Sequence, residues 1–394
     1  VVSETCGYFQ ADMWGVVEAS YEPRDPSGNA ASAFERLQAH RERRLPVRPL
    51  AALTDRYPGI DVDNLAVGDG MDRADLTVFG LVVDGIHYRS GCETRQGPHP
   101  FCNSLPLPSY STAKSIFAGL ATMRLERLQP GTAAAPVEAL VDACRSPAWH
   151  GVTIENALDM ATGNYVSLQH EDDENAQPHE DFVFDDTHAS KLDFACGFFP
   201  RKQDPGRQFV YHTSDTYLVG VALQQALRRN RPTADIYRDV VLQDMWRPLG
   251  LSPLLDDSKR TYDAAAQPFT GYGLTYEPDD IARIATWLQA EDGMLDGEPV
   301  LDRAMLNAAL QRDPADRGLV AITDSLRYNN GFWAFDAGAS LGCAEPVWVP
   351  FMSGVSGITV AMFPNGVIYY YVSDSHIFRW QTARIAAHTI RPLC

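Results

Sequence analysis

Strand-like writing at both ends of this chain, with a long helical stretch between, constrains the fold more than any other feature. Near the start, the apolar runs 77–83 and 86–88 flank Asp84-Gly85, and the pattern reads as a hairpin. After residue 330 the β-branched and aromatic residues return in 330–335, 357–363 and 367–373, with Pro364-Asn365-Gly366 as the turn between the last two. From about 115 to 320 the period is helical, clearest over 137–144, 154–160, 216–228, 234–246 and 278–289. Further helices are expected over 30–44 and 378–390. Strands that are far apart in sequence must meet to bury their faces. The expected fold is therefore α/β (α+β), an antiparallel sheet flanked by helices, built from N- and C-terminal parts with an inserted, mostly helical region. The expected parts are 1–110 plus 325–394 for the sheet and 111–324 for the helices, with a site between them.

Where the first strands hand over to the helical stretch, the chain reads Pro108-Ser109-Tyr110-Ser111-Thr112-Ala113-Lys114-Ser115-Ile116-Phe117. Ser109 is a candidate cap, and Ile116, Phe117, Leu120 and Leu125 form a face for burial. Ser111 and Lys114 lie one helical turn apart, so hydroxyl and amine can touch. Lysine is rare here: only Lys114, Lys191, Lys202 and Lys259 occur among 33 basic residues. Arginine cannot deprotonate, whereas a desolvated lysine becomes a neutral base. A hydroxyl beside such an amine is a candidate activated nucleophile, and free N–H groups at a helix start favour a developing oxyanion.

Composition narrows the partners. A formal charge of −18 argues against nucleic acid or anionic membrane surfaces, which need basic faces. No apolar run approaches the length of a membrane span, although 45% of residues are hydrophobic. Seven cysteines occur without a CxxC or zinc-finger spacing, and Cys92 and Cys102 bracket a polar loop that a disulfide could close. The expectation is a periplasmic or secreted protein with some bridges, its leader removed or trimmed before Val1. The stretch 169–188 is acidic and holds His170, Asp172, His179, Asp181 and His188, but without fixed ligand spacing. It reads as a solvated loop near a cleft mouth that could limit substrate size; neither a metal nor a cofactor is expected.

Two later stretches complete the pattern. Phe209-Val210-Tyr211-His212-Thr213-Ser214-Asp215-Thr216 clusters hydroxyls before an amphipathic helix, and Tyr211 is the candidate proton relay to a leaving group. Ser353-Gly354-Val355-Ser356-Gly357 heads a strand, where glycines let backbone approach a ligand and supply an oxyanion N–H. Tyr165 and Trp333 are candidate pocket aromatics.

In this order, Ser-x-x-Lys, Tyr-x-Thr and a glycine-rich strand edge, the chain resembles the serine β-lactamase and penicillin-binding-protein superfamily. Class C β-lactamase-like esterases and nylon-oligomer hydrolases are the nearest in pattern, and supporting lines such as Trp246-Arg247-Pro248-Leu249-Gly250 and Tyr272-Gly273-Leu274 extend it over roughly 75 to 390. The resemblance implies Ser111 as nucleophile, Lys114 as base, Tyr211 as relay, and the backbone N–H groups of Ser111 and Val355 as oxyanion hole. Thr213, standing where the family has Ser or Asn, and Gly354 would touch substrate. Ser214 in Ser214-Asp215-Thr216 is a rival relay. The cationic triplet of true β-lactamases is absent, since Met352-Ser353-Gly354 occupies its place. An esterase or amidase acting on a small-molecule or peptide substrate is therefore expected. The alternatives are a penicillin-recognising D-amino-acid peptidase or β-lactamase, or a non-catalytic binding relative.

Overall fold

The computed structural model describes residues 2–4, 10–12, 16, 18–20, 30–94 and 97–394. Nine strands, numbered here in chain order, form the central sheet. They are β1 Val47–Pro49, β2 Leu76–Val83, β3 Ile86–Arg89, β4 Leu319–Val320, β5 Leu326–Asn329, β6 Phe332–Asp336, β7 Trp348–Gly354, β8 Ile358–Met362 and β9 Ile368–Ser373. Their spatial order is β4-β5-β6-β7-β8-β9-β2-β3-β1. Every pairing is antiparallel except that of edge strand β1 with β3, which is parallel with Val47 opposite His87. N- and C-terminal parts meet where β9 pairs with β2 and Tyr370 lies opposite Gly80. Asp84 and Gly85 both take positive φ (50° and 74°), the twist a two-residue hairpin demands.

Both faces of the sheet are covered. Alternation along a strand sends Val78, Val82, Val360 and Tyr370 into a core shared with Phe117, Leu218 and Ile281. Their neighbours Phe79, Leu81, Tyr369 and Tyr371 pack on the other side against Trp380 and against Ala383 and Ala387 of the C-terminal helix Gln381–Ile390. The three consecutive tyrosines are thus divided between two cores.

The helix Pro278–Gln289 has the bounds its pattern gives, and Glu277 and Asp280 form its capping box. Its first-turn Asp279 serves tertiary structure as well: the carboxylate holds His87 at 3.0 Å and Arg89 at 3.3 Å on β3, and Arg44 at 3.3 Å. Other boundaries move. Residues 137–144 make two 3-10 turns, Val137–Ala139 and Asp142–Cys144, because Val137 N–H bonds across to Val152 instead of opening a helix. The helix Thr213–Asn230 starts three residues earlier than its apolar period, on buried hydroxyls. The stretch 169–188 contains the helix Gln177–Phe184, and the C-terminal helix opens at Gln381 rather than 378.

Three disulfides close: Cys92–Cys102, as the sequence suggests, with Cys144–Cys196 and Cys343–Cys394. Cys6 lies outside the described residues. No helix among the described residues is long and apolar enough to cross a membrane.

Lys114 opens a wide π-type stretch, Lys114–Gly119, that continues as the helix Leu120–Leu128. The turn Asn330-Gly331 between β5 and β6 presses on it. A Cβ on Gly119 would stand 2.8 Å from Asn330 O, and one on Gly331 2.8 Å from Lys114 O. Ser115 Oγ donates to Gly331 O at 2.6 Å in the space so gained. Gly119→Ala is expected to lower stability by about 1–3 kcal/mol through overpacking. Gly331→Ala should cost more, because its φ of +82° also disfavours a side chain. Urea unfolding of the two variants measures both.

Candidate active site

A short ribbon, Leu107–Pro108 against Thr275–Tyr276, delivers the chain to Ser111. Ser109 does not cap the following helix. Its Oγ accepts from Leu274 N–H at 3.0 Å and its own N–H donates to Leu274 O at 2.9 Å, so it locks the segment to the ribbon. Tyr110 then turns the chain with φ of +41°, a conformation that costs a non-glycine residue roughly 1–3 kcal/mol. Gly354 at the end of β7 makes room for this turn: a Cβ there would lie 3.1 Å from Ser109 O and 3.2 Å from Tyr110 Cβ.

Lys114 Nζ lies 3.0 Å from Ser111 Oγ, 2.8 Å from Thr213 Oγ1 and 3.3 Å from Gly271 O. It sits 5.0 Å from the ring centroid of Tyr211, which in turn stacks on Trp333. Only 2% of Lys114 is exposed. Burial pulls its amine down from 10.5 to about 8, against the opposing pull of the Glu174 carboxylate. At pH 7 roughly a tenth of such amines are neutral, against roughly three in ten thousand for an ordinary lysine. That is the difference between a spectator cation and a usable base.

Behind this group the acidic stretch is folded inward. Glu174 accepts from Thr213 Oγ1 at 2.5 Å and from Thr213 N–H at 2.8 Å. Asp173 accepts from the N–H groups of Val166 and Ser167 and bonds His212 at 3.1 Å, and Asp215 faces the other nitrogen of that ring at 3.5 Å. Phe199 stacks on His212 with centroids 4.0 Å apart. Burial works to lower His212, but the two carboxylates prevail and raise it to about 9. Burial keeps His179 below its ordinary value. The stretch 169–188 borders the cavity, as expected, and much of it is exposed, but the reading of it as solvated throughout is corrected: Asp173 and His179 are buried. Its candidate ligands are scattered. His188 bonds Tyr217, Asp181 bonds Gln177 and Asp172 bonds Ser167. No group of three or more His, Cys, Asp or Glu among the described residues is placed to hold a metal. Lys191, also buried, donates to Phe182 O and lies 4.3 Å from the Phe182 ring, pinning the helix Gln177–Phe184.

In front of Ser111 opens a cavity of about 990 Å³. One wall comes from the acidic stretch, with Glu174, Val183 and Phe184; the other is aromatic, with Trp333, Phe335, Phe351 and Trp380. Tyr211, Gly354 and Val355 border the same space. The structure thus brings Ser111, Lys114, Tyr211 and Thr213 together and sets Gly354, Val355 and Trp333 on the wall. Two assignments are corrected. Tyr165 does not line the cavity, because its segment turns away, bonded to Pro200 O and wrapped around Asp173. Thr213 is not on the wall either; it is 2% exposed, and its hydroxyl is engaged with Lys114 and Glu174. Ser214 is fully buried and away from the cavity, so Thr213 takes the place next to Lys114. Glu174, Gly271 and the arginines Arg379 and Arg384, which add cations to the cavity rim, were not singled out by sequence. Only Gly271, beside the Tyr272-Gly273 line, carried a nearby signal.

The beta-lactamase family model matches residues 78–363, and the chain belongs to this family of serine hydrolases. No curated protein matches it in sequence. Among solved structures it is similar to a Bacillus anthracis protein assigned provisionally as a 6-aminohexanoate-dimer hydrolase, at 14% identity and TM-score 0.62, covering 82% of each chain. It is also similar to a penicillin-binding-protein homologue from Caulobacter crescentus, at 18% identity and TM-score 0.55, covering 90% of this chain and 98% of that one. A class C beta-lactamase variant gives 13% identity and TM-score 0.55, covering 91% and 97%. At these identities the likeness shows the fold.

The sign of the His212 linkage follows from its raised value. Its stabilisation is complete below its ordinary value of 6.5 and is lost as pH rises through about 9. The stability difference between the native chain and His212→Gln is expected to shrink by about 3 kcal/mol between pH 6 and pH 10. Urea midpoints at a series of pH values read it directly.

Proposed function

We propose that the protein hydrolyses an ester or amide through a covalent acyl-enzyme on Ser111. The observation that carries this reading is the buried Lys114 amine, lowered to about 8 and 3.0 Å from Ser111 Oγ. Lys114 takes the Ser111 proton as Oγ bonds to the substrate carbonyl carbon. The backbone N–H groups of Ser111 and Val355 receive the developing oxyanion. Collapse of the tetrahedral intermediate breaks the bond to the leaving group, which gains the proton through Tyr211. Water then attacks the acyl carbon and releases the acid and free Ser111. The aromatic wall of Trp333, Phe335, Phe351 and Trp380 favours an apolar acyl or leaving group, with Gly354 at the reacting centre. The reacting groups are read as lying between a sheet-bearing part, 1–110 plus 325–394, and a mostly helical part, 111–324, which also carries edge strand β4. Three disulfides fit export to a periplasmic or extracellular space.

A second reading, a penicillin-recognising D-amino-acid peptidase or β-lactamase, draws support from one observation. Arg379 and Arg384 border the same cavity and could hold a substrate carboxylate, where Ser353 on β7 offers no cation.

A fluorophosphonate probe is expected to label the native chain once, and aryl esters with apolar acyl groups to turn over. The rate should rise with pH through about 8 as the Lys114 amine loses its proton. Ser111→Ala should abolish both signals; activity undiminished in that variant would refute the assignment. Lys114→Arg keeps the charge without the basicity and should lose several orders of magnitude in kcat/KM. Faster turnover of nitrocefin than of any ester in the same panel would promote the second reading.

A further inference from the structure

Thr213 has one hydroxyl proton, and Glu174 receives it. Thr213 Oγ1 donates to Glu174 Oε1 at 2.5 Å, and the Thr213 amide donates to Oε2 at 2.8 Å. With its proton so committed, the hydroxyl can offer only lone pairs to Lys114 Nζ, 2.8 Å away. Among the described residues, the remaining hydrogen-bond partners of the amine are Ser111 Oγ and Gly271 O, and the carboxylate one hydroxyl away is the charge that faces it. Glu174 is itself held in place. Its neighbour Asp173 is anchored by Val166 N–H, Ser167 N–H and His212, while His179 Nε2 lies 3.3 Å from Glu174 Oε2. The helix Thr213–Asn230 has no capping bond from the His212 side chain, and Glu174 takes its first amide instead.

We infer that Glu174 is a positioning residue for Lys114: its carboxylate fixes the Thr213 hydroxyl as an acceptor aimed at the amine and, through that hydroxyl, holds the amine's proton. This rests on the acyl-enzyme reading above and deepens it by assigning the lower pH limit of the reaction to a residue outside the Ser-x-x-Lys and Tyr-x-Thr motifs. Among the described residues, three further titratable groups stand around the pair. Tyr211 presents its ring to the amine, and His179 faces Glu174 from the helix Gln177–Phe184. His212 stands behind, between Asp173 and Asp215. Burial keeps His179 below its ordinary value, and both His179 and the Lys114 ammonium help to hold the Glu174 carboxyl low.

The test is the rate of fluorophosphonate labelling against pH in the native chain and in the variants Glu174→Gln, Thr213→Val and Thr213→Ser. Removing the carboxylate lets the amine release its proton more easily, so the rising limb of Glu174→Gln is expected at least about one pH unit below that of the native chain. Its plateau should fall about tenfold, because an amide can turn the Thr213 hydroxyl away from Lys114. Thr213→Ser keeps the hydroxyl and should keep the native profile, while Thr213→Val should lose tenfold or more. A folded Glu174→Gln with the native midpoint and plateau would overturn the inference. Should that variant not fold, a native profile in Thr213→Val would overturn it equally, and loss there with rescue in Thr213→Ser would support it. Labelling that survives in Ser111→Ala, or a native chain that is never labelled, would instead overturn the underlying reading.

Discussion

The desolvation of one amine is the constraint on which the rest of the site depends. Lys114 and His212 are both buried, yet they end on opposite sides of their ordinary values. His212 lies between two carboxylates, and their attraction outweighs the cost of burying its charge. Among the described residues, the direct oxygen partners of Lys114 are two hydroxyls and a carbonyl, and the Glu174 carboxylate reaches it across Thr213. Burial therefore prevails at Lys114. The same interior raises one buried cation to about 9 and lowers another to about 8 by the number and distance of the carboxylates it supplies.

Geometry at this amine is secured by close backbone packing. Gly119 and Gly331 let the β5–β6 turn bear on the π-type stretch that carries Lys114, and Gly271 brings a carbonyl within reach of Nζ. A Cβ on Gly271 would lie 2.6 Å from Thr216 Oγ1 and 3.0 Å from Thr213 Cγ2. The strained turn at Tyr110 is held on one side by Ser109 and Leu274 and on the other by Gly354. Strain stored next to Ser111 survives because the neighbouring elements over-determine it.

Much of this was legible in the residues. The hairpin about Asp84-Gly85, the returning strands after 330 and the helix Pro278–Gln289 follow from period and turn chemistry, which are local. The pairing of Ser111 with Lys114 was also local, one helical turn. Edge strand β1 and the two 3-10 turns at 137–144 were missed because tertiary hydrogen bonds decide them. Glu174 was hidden for a different reason. It stands in a run of Glu and Asp that reads uniformly as solvated, and only the fold distinguishes the carboxylates bent under a helix start from those left in water. Tyr165 failed in the converse way: an aromatic near the site in sequence was drawn off by the loop that binds Asp173.

The disulfides give the architecture a further property. Cys144–Cys196 ties segments within the helical stretch, Cys343–Cys394 binds residue 394 to the region between β6 and β7, and Cys92–Cys102, ten positions apart, closes a loop ahead of Ser111. None among the described residues joins the acidic wall of the cavity to its aromatic wall. The width of the entrance is thus left to noncovalent contacts, while each flank is separately stapled. Such a scaffold can exchange loops along its opening, and with them the molecules it admits, without surrendering the covalent reinforcement that an oxidising environment provides.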